Sequence, residues 1–140
     1  SELFTFPGGN MAGKFLSIRN SLDFSTISAH AFDNKPLTES RDILLFHLTD
    51  AINSGTVFQN EEARLTLNNG KHPVLAYRGR ADLAMKVPSV VKSWTVQAIG
   101  LDGSVLGTIP AEKKDGRLHF RAEVFGPAGV TMIYRIMANQ

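Results

Sequence analysis

Apolar and polar positions alternate in twos along most of this 140-residue chain. In "FSTISAHAF" (24–32), Phe24, Thr26, Ser28 and His30 fall on one side, and Ser25, Ile27, Ala29 and Ala31 on the other. A side-chain period of two marks a strand. "ADLAMKVP" (81–88) turns Ala81, Leu83, Met85 and Val87 inward and Asp82 and Lys86 outward. Leu118, Phe120, Ala122 and Val124 alternate in the same way with His119, Arg121 and Glu123. "ARLTLNNG" (63–70) sets Leu65 and Leu67 on one face and ends at Asn68-Asn69-Gly70. Ile43 to Leu48 is a continuous apolar run of strand length, the pattern of a central core strand buried on both faces. Val130 to Met137 closes the chain as a last strand.

Turn chemistry separates these runs. Ser17 to Asn20 leads into a polar corner at Asn20-Ser21, and Asp33-Asn34-Lys35-Pro36 is a turn in which Asn34 takes positive φ. Asn53-Ser54-Gly55 is the expected tight turn after the apolar run. Asp102-Gly103 joins Trp94–Ala98 to Val105–Ile109 as a hairpin, and Asp115-Gly116 repeats the signal. Gly126-Pro127 breaks the pattern that precedes it. No window carries helical periodicity with caps. "TESRDILLFHL" opens like a helix at Thr38–Arg41, but its apolar residues run together without a 3.6-residue spacing, so it reads as a strand. About eight to ten strands with turns every 8–12 residues predict an all-β fold, a single antiparallel β-sandwich of jelly-roll kind over residues 1–140.

Composition narrows the classes. A domain of this length buries roughly 68–70% of its unfolded surface, so it needs no covalent staple. There is no cysteine, which removes disulfides, thiolate catalysis and zinc–thiolate sites. The 15 basic and 13 acidic side chains leave a net charge of +2, spread along the chain. That is not the dense basic stripe of a nucleic-acid binder. Lys113-Lys114 is offset by Glu112 and Asp115 and reads as a solvated turn. No stretch approaches the 18 or more apolar residues of a membrane-spanning helix. Neither nucleic acid nor membrane is an expected partner. No signal peptide is visible, and the chain begins at Ser1-Glu2 without methionine, like a segment of something longer.

The residues that could carry chemistry do not converge. His30, His47, His72 and His119 lie far apart and form no HExxH. His30 and His119 fall on the solvent side of their strands, and His47 sits inside the apolar run. The aspartates mostly occupy turns, where they bond their own backbone. Glu61-Glu62 flank a strand start. No carboxylate pair has the apolar surround that glycoside hydrolysis needs to raise a pKa. There is no GxSxG elbow, and Gly8-Gly9 precedes no helix that would complete a phosphate cradle. The chain is therefore not expected to be an enzyme. Aromatic residues remain. Phe24, Phe46, Phe120 and Trp94 read inward as core. Sugar binding needs a ring lying open on the surface among polar groups. Tyr77 beside Arg78, and Phe58 after Asn53-Ser54-Gly55, are such candidates. Trp94 is a third, as the only tryptophan, although alternation with Val96 and Ala98 turns it inward. Trp94, Tyr77, Phe58 and Arg78 are the expected substrate-binding residues.

Four pieces stand in a fixed order: "AFDNKPLTESRDILLFHLTD", "NSGTVF", "NGKHPVLAYRGRADLAM" and "WTVQAIGLDGSVLGTIP". This order resembles the β-sandwich module that follows the (β/α)8 catalytic barrel in many bacterial polysaccharide-degrading glycoside hydrolases. The resemblance covers about Phe24 to Pro110 and departs at Asn34, where glycine is usual, at Ser54, where threonine is common, and at Val57, in place of methionine. It implies a non-catalytic ancillary module of a secreted or periplasmic enzyme, partnered by a plant or algal polysaccharide or oligosaccharide and by the parent catalytic domain. The alternative it leaves open is a structural sandwich that buttresses the barrel and binds no sugar. No cofactor is expected. Sugar-binding jelly rolls of the wider fold group often hold a structural calcium, and the Asp-rich turns offer oxygen ligands, but no spacing here compels one.

Overall fold

The computed structural model describes residues 1–60 and 64–139, and its regular elements are all strands. In chain order these are β1 (Glu2–Phe6), β2 (Gly9–Ala12), β3 (Leu16–Ser21), β4 (Ser25–Ala31), β5 (Asp42–Thr49), β6 (Ala51–Phe58), β7 (Thr66–Ala76) and β8 (Arg80–Lys86). They continue as β9 (Trp94–Ile99), β10 (Val105–Ile109), β11 (Ala111–Lys114), β12 (Arg117–Glu123), β13 (Phe125–Gly126), β14 (Gly129–Val130) and β15 (Ile133–Ala138). A six-stranded sheet in the order β1-β4-β5-β15-β9-β10 faces a five-stranded sheet in the order β11-β12-β8-β3-β2. The pairing is antiparallel throughout, and the molecule is a β-sandwich.

The alternating positions explain why the sheets stack. Ile27 and Ala29 of β4, Ile43 and Leu45 of β5, and Tyr134 and Ile136 of β15 point into one interior. Leu16 and Ile18 of β3, Leu83 and Met85 of β8, and Leu118 and Phe120 of β12 meet them from the other sheet. Each large apolar side chain buried there contributes about 1.5–3 kcal/mol. Tyr134 bolts the layers together. Its ring lies 6.1 Å from that of Phe120. Its hydroxyl donates to the Glu123 carbonyl (2.9 Å) and accepts from the Glu123 N–H (2.8 Å). Burial pushes the phenol up to about 12, so it stays a neutral donor.

Several turns are built as their residues require. Asn34 has φ 57°, and Asp115 and Gly116 both have positive φ, the arrangement of a two-residue hairpin turn. At the other Asp-Gly hairpin, Gly100 N–H donates to the Ser104 carbonyl and Asp102 Oδ1 accepts from the Ser104 N–H. Lys113, expected in a solvated turn, is instead half-buried. Its Nζ donates to the carbonyls of Ser89 (3.1 Å) and Val91 (2.6 Å) and closes the β8–β9 connection.

Other expectations are corrected. Asn53-Ser54-Gly55 does not end the extension. It lies inside β6, with a register shift between Asn53 and Ser54. Asn68-Asn69-Gly70 likewise lies inside β7. Gly70 has φ +65° there, and a Cβ on it would come within 2.5 Å of the Ser54 carbonyl oxygen. The ribbon reverses beyond Phe58, where Gln59 N–H donates to the Leu65 carbonyl. Glu61-Glu62 and the Ala63 that opens "ARLTLNNG" fall outside the described residues. Among the described residues β6 and β7 pair only with each other, and Leu65, Leu67, Val74 and Leu75 on this ribbon are exposed. Phe24 and Phe46 do not point inward. Phe24 precedes β4 at the Asp23 turn and is exposed, and Phe46 lies on the outer face of β5. The apolar run of β5 is central in its sheet but buried on one face only: Ile43, Leu45 and His47 are inside, and Leu44, Phe46 and Leu48 outside.

Candidate functional site

The sequence-predicted residues do not gather into one site, because Trp94 lies far from the other three. Trp94 starts β9 and is core. It is 9% exposed, and its buried Nε1 has no acceptor among the described residues. Such a ring has no open face for a sugar. Tyr77 and Arg78 follow β7 at the far end of the six-stranded sheet. Ala138, paired with Trp94, donates to the Arg41 carbonyl, and Tyr77 donates to that of Asp50. The nine steps from Arg41 to Asp50, which run the whole length of β5, therefore separate Trp94 from Tyr77 by about 30 Å. Phe58 is half-buried on the ribbon, seven residues along from the Ala51–Ala76 pair, yet its ring lies within one arginine's reach of Asp50 beside that pair. Arg64 covers its ring at 5.7 Å and pairs with Asp50.

A concavity lined by none of these four lies elsewhere. A cleft of about 580 Å³ opens on the outer face of the five-stranded sheet. One wall is the Ile109–Pro110 crossing from β10 to β11, and the other is the small β13–β14 hairpin, whose Ala128 packs against Gly107. Its rim carries Asp82 from β8 and His119, Arg121 and Glu123 from β12, all at outward positions of their strands. A second depression, of about 220 Å³, shares Glu123 with the cleft and is lined also by Leu22, Arg78, Arg80 and Phe125. Phe125 is 47% exposed. Arg78 is thus the one sequence-predicted residue that comes to this face. Phe125 was missed because Gly126-Pro127 marks a break and not a surface. Proximity of the cleft walls follows from cross-sheet connections that no local pattern announces.

Register extends the face across the whole sheet. Glu112, His119, Ala84, Ser17 and Ala12 are successive cross-strand partners from β11 to β2. One flanking row is Lys114, Arg117 and Lys86, and the other is Arg121, Asp82 and Arg19. Between them a third depression, of about 260 Å³, is lined by Arg19, Arg117, His119, Asp82, Ala84 and Ser17. Arg117 Nη1 donates to Ser17 Oγ (3.1 Å), which holds the guanidinium across the small-residue row.

One carboxyl of the cleft has a displaced titration. Asp82 accepts from Arg121 Nε (2.7 Å) and Asn20 Nδ2 (2.9 Å), and these bonds, Arg121 first, hold it below the usual carboxylate range. Arg121 is raised in turn by the same contact. Among the described residues no group of three or more His, Asp or Glu side chains could hold a metal ion. No family model, curated protein or solved structure matches the chain.

Proposed function

We propose that this chain is a non-catalytic carbohydrate-binding module, with the glycan on the outer face of the five-stranded sheet. The observation that carries this reading is the exposed Phe125 ring, set with Arg78, Arg80 and Glu123 in the 220 Å³ depression that shares Glu123 with the 580 Å³ cleft. A ring with an apolar face and charged neighbours suits a pyranose, which is apolar on its C–H face and ringed by hydroxyls. Asp82 supports binding over catalysis. A carboxyl held ionised by Arg121 accepts hydroxyl protons, whereas the acid of a glycosidase needs its pKa raised. The resemblance to ancillary modules of glycoside hydrolases supports a polysaccharide ligand and a secreted or periplasmic parent enzyme. Affinity electrophoresis through gels of soluble plant and algal polysaccharides tests this. Retardation in one gel, weakened about tenfold or more by Phe125→Ala, is expected, since burying a phenylalanine is worth about 1.5–3 kcal/mol. Retardation that survives Phe125→Ala undiminished would remove the platform from the proposal.

A second reading, compatible with the first, is that the module also buttresses its parent barrel. It is favoured by the outer face of the six-stranded sheet, where Leu3, Ser28, Phe46, Ile133, Ile99 and Val105 form one unbroken cross-strand row. Leu3 and Val105 at its ends are 59% and 57% exposed, and Leu44 and Leu48 lie in the adjoining rows. Contiguous apolar surface of this kind marks an interface. Concentration-dependent self-association of the isolated chain, reduced by Leu48→Lys, is the expected signature. A strictly monomeric chain that binds no hydrophobic dye would argue against it.

A further inference from the structure

We propose that the glycan recognised by this face is anionic, bearing carboxylate or sulfate groups, and that the pocket between Arg19 and Arg117 receives one of them. The proposal rests on the sugar-binding reading of the same face and names its ligand class. The sequence spreads its basic residues, but the fold gathers them. The outward positions of the five-stranded sheet carry Arg19, Arg80, Lys86, Lys114, Arg117 and Arg121 against Asp82, Glu112 and Glu123. Those six cations and three carboxylates give the face a net +3 on a chain whose total is +2, so everything else carries a net −1. Asp82 is already committed to Arg121 and Asn20. Arg19, Arg80, Lys86, Lys114 and Arg117 form no ion pair among the described residues. Like charges crowded on one face repel one another, and an arriving anion relieves that repulsion.

The pocket itself is suited to a small anion. Ala84 and Ser17 leave its floor low between the two arginines, and His119 stands at its side. Arg117 is already held over that floor by Ser17. Guanidinium groups match carboxylate and sulfate oxygens with paired donors. The row from β11 to β2 covers four inter-strand steps of about 4.8 Å, roughly 19 Å in all, so an extended oligosaccharide would present several rings to the face.

Calorimetric titration of the full chain with oligogalacturonate, a sulfated galactan oligosaccharide, neutral manno- and gluco-oligosaccharides and duplex DNA tests the proposal, at 50 and 200 mM salt. The expected result is binding of an acidic oligosaccharide that weakens with salt and falls about tenfold or more in Arg19→Gln/Arg117→Gln. Arg19→Lys/Arg117→Lys, which keeps the charge but loses the fork, should recover part of the affinity, and Lys71→Gln on the ribbon should leave it unchanged. Urea midpoints equal to the parent's show that each variant is folded. Binding of a neutral oligosaccharide alone would overturn this inference and leave the carbohydrate-binding reading standing. No binding to any glycan would remove both. DNA bound as tightly as the acidic sugar would overturn the inference in favour of general polyanion attraction, and acidic-sugar binding indifferent to Arg19 and Arg117 would overturn the pocket.

Discussion

Replacing His47 with leucine should remove most of the pH dependence of stability between pH 6.5 and 4. His47 is fully buried on the inner face of β5, and neither ring nitrogen has a hydrogen-bond partner among the described residues. Burial lowers its pKa from 6.5 to about 4, because a charged imidazole there would lose its water without gaining an acceptor. The unfolded chain therefore takes up this proton first. Above pH 6.5 neither state holds it and no stability is lost. Between 6.5 and 4 the unfolded state binds more protons, and stability falls as pH falls, by about 3 kcal/mol in total. Asp33, Asp50, Asp82 and Asp102 are also shifted downward, below 3.8. Their contributions are present above that value and are lost at lower pH, so the two windows separate. Leucine fills similar space without the two orphaned polar atoms, and at pH 7 His47→Leu should equal or exceed the parent, by about 1 kcal/mol. Urea unfolding followed by fluorescence of Trp94, the single tryptophan, reads this at pH 7, 6, 5 and 4.3. A variant whose midpoint falls with acid as steeply as the parent's would refute the assignment.

Tyr134→Phe should cost about 2 kcal/mol in urea unfolding, because the Glu123 N–H and carbonyl lose a shared partner between the sheets; an unchanged midpoint would mean that water replaces the hydroxyl. Glu2→Ala strips a carboxylate that accepts from the N–H groups of Lys14 (2.8 Å) and Leu16 (2.6 Å), and amide exchange should quicken through residues 14–16 before the rest of β3. Gly79→Ala places a Cβ 2.3 Å from Thr49 Cγ2 and 3.1 Å from the His47 ring, an overpacking cost of about 1–3 kcal/mol visible as a lower Tm.

The sandwich was legible because its core strands alternate cleanly. Leu83 and Met85, or Leu118 and Phe120, each declare their inner face without help from the rest of the chain. The same rule failed at Phe24, which lies outside β4 and follows a left-handed Asp23, and at Phe46, whose outward face lacks polar residues to contrast with. Asn53-Ser54-Gly55 and Asn68-Asn69-Gly70 set turn residues inside a paired ribbon, where Gly55 and Gly70 keep the left-handed φ that a turn would also use. The face proposed to bind was the least legible part. Arg19, Arg80 and Arg117 are unremarkable singly, and only pairing of β3, β8 and β12 makes them neighbours. Arg78 was found for its place beside Tyr77, yet the depression that it lines belongs to Phe125.

The cross-strand row from Glu112 to Ala12 has a consequence for how this protein is assembled and judged. Its members come from five strands, and Arg117 reaches a serine one hundred positions earlier in the chain. Slipping any one strand by a single residue would send its outward side chain inside and an inward one out. No fragment or misregistered sheet can present the whole row. Occupancy of that face would accordingly serve as a proofreading signal: a molecule that holds its ligand has certified the alignment of every strand beneath it.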